Sequence, residues 1–248
     1  MRQTNTQYSN FNSMCTVTFL PLENNNFILT SNRDEQRSRE TFVPKEYKEN
    51  GVEMLFPKDK TAGGTWIGVS SKKRLVCVLN GAFEKHQRKN NYNKSRGVIA
   101  KEILQENNLK KHIENLSLEG IEPFTLVIVD WNDEQLNLYE LIWDEITKHY
   151  TKLENKPKIW SSSTLYKIEM KETRKQWFKD WIASNDFTSE NILKFHHSEI
   201  GDKEQSVLMK RSYVETVSIT SVKKGSDGIE MLYEDLVHNI KDVQNFNP

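Results

Sequence analysis

From Cys15 onward, apolar and polar positions alternate in short runs. Cys15-Thr-Val-Thr-Phe-Leu20 puts Cys15, Val17 and Phe19 on one face, the period-two pattern of a strand. Residues 22–26 are turn chemistry, and Phe27–Ser31 completes a predicted hairpin. Residues 32–62 read as charged and irregular, with Pro44 and Pro57 as breakers. Thr65–Ser70 and Arg74–Asn80 form a second hairpin through Ser71-Lys72-Lys73. The runs at 74–79 and 124–129 are apolar without interruption, so both of their faces need cover. Further strands are predicted over Gln135–Trp143, Ile146–Leu153, Ile159–Ser161, Tyr213–Val222 and Gly228–Tyr233. Helices are predicted from the Ser95 cap to about Glu106, over Tyr166–Ile182 and over Asn191–His197. Short links between strands make the sheets mainly antiparallel. Strands covered on both sides then call for an α+β, four-layer αββα sandwich, one domain over residues 15–248, with the Cys15 strand near its centre.

Composition narrows the function. The 248 residues carry 35 Lys+Arg against 35 Asp+Glu, a formal net charge of zero. Such a chain lacks the basic field of a nucleic-acid binder and the polybasic clusters that hold a protein on an anionic membrane. No run approaches the ~20 apolar residues that span a bilayer. Two cysteines exclude a disulfide framework, leave one Cys15–Cys77 bridge open, and suit a reducing, cytoplasmic setting. Residues 1–13 are polar, with no apolar core after a basic start, so they are no secretory signal. They read as a disordered extension or as a stretch absent from the mature protein.

The first hairpin carries the candidate chemistry. With its turn near Asn24, residues whose numbers sum to about 47–49 face each other. Cys15 then meets Asn32-Arg33-Asp34. A cation beside a thiol favours the thiolate and lowers a pKa that is ~8.5 in isolation. The plain alternative is a small buried hydrophobe beside a solvated ion pair.

Four runs occur in order: Met14-Cys15-Thr16, Asn32-Arg33-Asp34-Glu35, Gly63-Gly64-Thr65-Trp66-Ile67-Gly68-Val69 and Leu79-Asn80-Gly81. Together they resemble the NRDE family, also called the transport-and-Golgi-organisation-2 family, from Met14 on. That family is similar to N-terminal-nucleophile hydrolases whose first residue is Cys, such as bile-salt hydrolases and penicillin V acylase, which share an αββα sandwich. The resemblance implies that Cys15 is both nucleophile and, through its own α-amino group, general base. This requires that translation start at Met14 or that the first fourteen residues be removed. It implies that Arg33 stabilises the thiolate, that Asp34 holds the amine, and that the backbone N–H of Asn80 lines an oxyanion hole.

Two departures stand out. Where those hydrolases place an Asn as second oxyanion donor, the matching run is Ser161-Ser162-Ser163, so Ser162 takes that position. The family's late arginine aligns only loosely with Arg211, and Glu215 sits nearer its place. Adjacent His196 and His197 point to different faces of a helix, so no metal site is expected. No cofactor is expected either. Lys85, His86, Arg88, Lys89 and Lys94 form a solvated charged loop that can also receive an anionic substrate. The expected function is hydrolysis or acyl transfer at a C–N amide bond of a small acyl compound. The rival is a non-catalytic lipid-, acyl- or haem-handling protein using the same cleft, with Cys15 and His86 as axial candidates for haem.

Overall fold

The computed structural model describes residues 14–89, 91–133, 135–163 and 168–247. The expectations for residues 1–13 and for Tyr166 lie outside them. In chain order the strands are β1 (Met14–Pro21), β2 (Phe27–Glu35), β3 (Thr41–Glu49), β4 (Val52–Asp59), β5 (Ile67–Ser70) and β6 (Arg74–Asn80), before the helices α1 (Arg96–Gln105) and α2 (Leu109–Asn115). Four strands follow: β7 (Phe124–Asp130), β8 (Asn137–Trp143), β9 (Lys148–Leu153) and β10 (Lys158–Ser161). Helices α3 (Ile168–Ser184) and α4 (Ser189–His196) precede β11 (Glu215–Gly225), β12 (Gly228–Asp235) and β13 (Ile240–Phe246).

Two sheets result, ordered β10-β1-β2-β11-β12-β13 and β3-β4-β5-β6-β7-β8-β9. The described strand pairs are antiparallel. Alternation along each strand sends side chains to two different cores. Val17, Phe19 and Leu29 meet Leu75, Cys77, Val127 and Val129 between the sheets. On the outer face of the second sheet, Val76, Leu126 and Ile128 pack under Ile99 and Ile103 of α1 and Ile113 of α2. On the outer face of the first, Leu20 and Ile28 pack against Phe178 of α3 and Ile192 and Phe195 of α4. The continuous apolar strands sit in the middle of a four-layer αββα sandwich, as their patterning requires.

The expectation of an irregular segment over 32–62 is corrected by β3 and β4. Their prolines sit where a ladder can spare an N–H. Pro44 lies in the register shift between Phe42 and Lys45 on the edge strand β3. Pro57 lies beyond the two β4–β5 pairs, Met54↔Ser70 and Leu55↔Val69. Helix α2 and strand β13 were not expected either; both are short, and β13 leaves Ile240 and Val243 exposed. Helix α3 hides a feature its apolar pattern does not announce. Arg174 is fully buried, donating to the Gln205 and Ser206 carbonyls and to Thr16 Oγ1 on β1. A second buried arginine, Arg74, pairs with Asp130 at 2.7 Å and donates to the Ile103 and Glu106 carbonyls, closing the C-terminus of α1. Both cysteines are free thiols, so the Cys15–Cys77 bridge left open by counting does not form.

Candidate active site

The β1–β2 turn fixes the register. Asn24 and Asn25 both take left-handed conformations, φ 57° and 58°, at the centre of a turn in which the Asn26 N–H donates to the Glu23 carbonyl, inside the connection from Pro21 to Phe27. Cys15 accordingly pairs with Arg33, and Met14 with Asp34. Cys15 and Arg33 therefore share the inter-sheet face, where both line a cavity of about 430 Å³ together with Asn80. Gly64 and Gly97 shape another part of its wall. A Cβ on Gly64 would meet the Gly97 carbonyl carbon at 2.7 Å, so only glycine allows these backbones to approach so closely.

Arg33 is immobilised. Its Nη2 lies 3.1 Å from Asp59 Oδ2 and 3.8 Å from Glu35 Oε2, and its guanidinium sits 4.7 Å from the centroid of Trp66. Asp59 also accepts from Arg39 Nε at 2.8 Å and from the Thr61 and Ala62 amides. Burial raises the Asp59 pKa, but the Ala62 amide and Arg39 outweigh it and hold the carboxyl below its ordinary value. Across the cavity, Glu122 faces Arg96 at 3.2 Å, His86 at 3.4 Å and Arg88 at 3.6 Å. Arg96 is the first residue of α1, placed by the Ser95 cap.

The thiol itself departs from expectation. Burial pushes the Cys15 pKa well above its ordinary range, Asp34 and Cys77 add to the rise, and Arg33 only partly offsets it. The reason is visible in the ion pairs: the Arg33 charge is already matched by Asp59 and Glu35. In this chain, with residues preceding Cys15, Arg33 offsets only part of the rise that burial imposes on the thiol.

Asp34 points away from that cavity. Its Oδ1 accepts from Thr216 Oγ1 at 2.6 Å, while Oδ2 is buried without a partner among the described residues. Burial, against the Thr216 hydrogen bond and the Arg174 charge, raises its pKa from 3.8 to about 6. Asn80 ends β6. Val78 N–H donates to Trp66 O, so alternation presents the Asn80 N–H on the same strand edge, past the last β5–β6 pair at Ile67↔Cys77.

Ser162 lies beside the cavity rather than on its wall. Its amide donates to the Cys15 carbonyl at 3.1 Å, and its hydroxyl donates to the Asn80 carbonyl at 2.5 Å. A hydroxyl has one proton to give, and here Asn80 takes it. Arg211 stands apart from the Cys15 cavity. It donates through Nε and Nη2 to the Glu204 carbonyl and borders a separate recess with Arg37 and Tyr213. Glu215 pairs with Arg37 at 3.1 Å. Of the loop cations, Arg88 and Lys94 line the cavity, whereas His86 does not. Among the described residues, no three His, Cys, Asp or Glu side chains are placed to hold one metal ion.

Sequence reasoning missed Glu35, Arg39, Asp59, Arg96 and Glu122. Glu35 closes the Asn-Arg-Asp-Glu run, and strand alternation from Arg33 places it on the cavity side. The others come from a turn (Arg39), the end of β4 (Asp59), a helix start (Arg96) and a loop (Glu122), with no shared spacing.

The family model described as Transport and Golgi organisation 2 matches residues 14–236. No curated protein sequence registers a match. Among solved structures, an N-acylethanolamine-hydrolyzing acid amidase ortholog of Caenorhabditis elegans superposes with a TM-score of 0.55 and 11% identity, over 84% of this chain and 92% of its own. Penicillin V acylase from Agrobacterium tumefaciens superposes with a TM-score of 0.54 and 8% identity, over 94% of this chain and 86% of its own. At such identities the likeness is one of fold.

Proposed function

Because the chain belongs to the Transport and Golgi organisation 2 family and has structural neighbours among N-terminal-nucleophile hydrolases, we propose that it is a cysteine amidase or acyltransferase acting on the C–N bond of a small acyl compound. The observation that carries this reading is the meeting of Cys15, Arg33 and Asn80 at one cavity from three separate strands. The chemistry requires a free α-amino group on Cys15, because an amide nitrogen has no basicity. That amine takes the thiol proton as Sγ attacks the substrate carbonyl, so the buried thiol need not be ionised beforehand. Electrons move onto the carbonyl oxygen, and the Asn80 N–H stabilises that charge. As the tetrahedral intermediate collapses, the C–N bond breaks and the Cys15 ammonium protonates the departing nitrogen. Water, or another acceptor, then attacks the thioester and releases the acyl group, and the thiol recovers its proton. Asp34 supports the amine from the adjoining ladder position, its unpartnered Oδ2 matching an ammonium hydrogen in need of an acceptor. Ser162 acts as a positioning residue, tying the Cys15 strand to the Asn80 strand.

The committed Ser162 hydroxyl and the raised Cys15 pKa favour one other reading, a protein that binds an acyl ligand without turnover. One comparison separates the two. Protein beginning at Cys15 should release amine from short acyl amides. Cys15→Ala should abolish that release, and so should restoring residues 1–14. Turnover indifferent to both changes, or none in any form, transfers the site to the binding reading.

A further inference from the structure

The charges around the cavity do not cancel. Among its described lining residues are four guanidiniums, Arg33, Arg39, Arg88 and Arg96, and three carboxylates, Glu35, Asp59 and Glu122. Lys94, also on the wall, is paired at 2.7 Å with Glu102, which lies outside it. The Cys15 thiol carries no charge while it keeps its proton, so the nucleophile leaves the balance unchanged. One positive charge remains without an internal counterpart. The two clusters also sense each other, since Arg39 on one wall is within electrostatic range of Glu122 on the other.

The four arginines are not equivalent. Arg33 is held by Asp59, Glu35, the Arg39 carbonyl and the Trp66 face. Arg96 is mostly buried and spends its two Nη groups on Glu122 and the Pro123 carbonyl. Arg39 and Arg88 are half-exposed, at 41% and 45%. Among the described residues, Arg39 engages Nε and Nη1 only. Arg88 approaches Glu122 through Nε at 3.6 Å, and its two Nη groups have no partner among the described residues. These two therefore combine exposure with unspent donors, in the planar geometry that matches a carboxylate.

We propose that the acyl ligand of this cavity carries a carboxylate in addition to its amide, and that Arg39 and Arg88 bind that carboxylate. A monoanion balances the excess of one charge, and a guanidinium fork gives it two hydrogen bonds. This rests on the amidase reading for the position of the amide, but its test needs no turnover. Glutaramate and valeramide have the same length and the same amide, and differ in a carboxylate against a methyl group. Titration calorimetry of the full chain should show glutaramate binding about ten-fold or more tightly than valeramide. The preference should shrink as NaCl rises from about 50 to 500 mM. Arg39→Gln and Arg88→Gln should each remove most of it, and Arg88→Lys should restore part. Both side chains are half-exposed, so unfolding midpoints should stay close to that of the parent, which separates lost binding from lost fold. Equal binding of the two probes, binding of neither, a preference that survives both Gln variants, or inorganic phosphate binding as tightly as glutaramate overturns the proposal. Glutaramate that binds selectively but is never hydrolysed by the Cys15-first protein leaves this inference standing and removes the amidase. Hydrolysis of acyl amides without regard to a carboxylate does the reverse.

Discussion

Asp34→Asn gives the most informative perturbation, because its sign should depend on what precedes Cys15. In the 248-residue chain, burial raises the Asp34 pKa from 3.8 to about 6. The folded chain then keeps a proton that the unfolded chain has released between those two values. Stability is therefore fully present below pH 3.8, falls as pH rises toward 6, and stays lower above it. At about 1.4 kcal/mol per pKa unit the loss is about 3 kcal/mol. Asp34 is completely buried, so no solvent screening reduces it. Asn keeps an oxygen for Thr216 and carries no charge at any pH. Its amide NH2, set where Oδ2 has no partner, costs about 1–3 kcal/mol at every pH. Urea unfolding followed by tryptophan fluorescence at pH 4, 5, 6 and 7 should show stability of the parent falling relative to Asp34→Asn by about 2.4 kcal/mol across the series, the remainder being lost below pH 4. In protein beginning at Cys15, the ammonium supplies the missing partner and draws the carboxyl pKa back down. The relative fall should then vanish, and the substitution should cost both stability and amidase activity. Parallel stability profiles for parent and variant in the full chain would refute the burial argument. Identical profiles with and without residues 1–14 would refute the pairing of Asp34 with the amine.

Further outcomes follow from the same geometry. In the full chain, alkylation of Cys15 by iodoacetamide should be slow at pH 7 and accelerate with rising pH, because burial raises its pKa, and Cys77, fully buried between the sheets and off the cavity wall that Cys15 lines, should react more slowly still; peptide mass mapping over time reads both. Ser162→Ala removes the Asn80 tie, costing about 1 kcal/mol of stability, and should lower kcat of the Cys15-first protein more than it raises KM. Arg74→Ala strands buried Asp130 and opens the end of α1, costing about 3–5 kcal/mol by urea unfolding.

What the sequence determined by itself was local or periodic. Uninterrupted apolar strands at 74–79 and 124–129 demand cover on both faces, and that demand yields the αββα layering. The Asn-rich turn sets a hairpin that brings Cys15 opposite the run Asn32-Arg33-Asp34 by counting, and the ladder in the fold picks Arg33 from that run. The ordered motifs from Met14 to Gly81 carry the family. What only the tertiary structure decided depends on approaches between segments distant in the chain. Strands β3 and β4 escaped detection because their prolines occupy a bulge and a stretch beyond the β5 pairing, places that propensity cannot identify. Arg174 and Arg74 sit fully buried because carbonyls, a hydroxyl and a carboxylate from other elements surround them. The sequence puts Arg33 beside Cys15, but the acidity of the thiol depends on Asp59 and Glu35, which already hold the arginine's charge. Ser162 occupies an oxyanion donor's position in sequence, yet its one proton goes to Asn80. The guanidinium excess of the cavity belongs to no run of residues at all; it is assembled from a strand, a turn, a loop and the first residue of a helix.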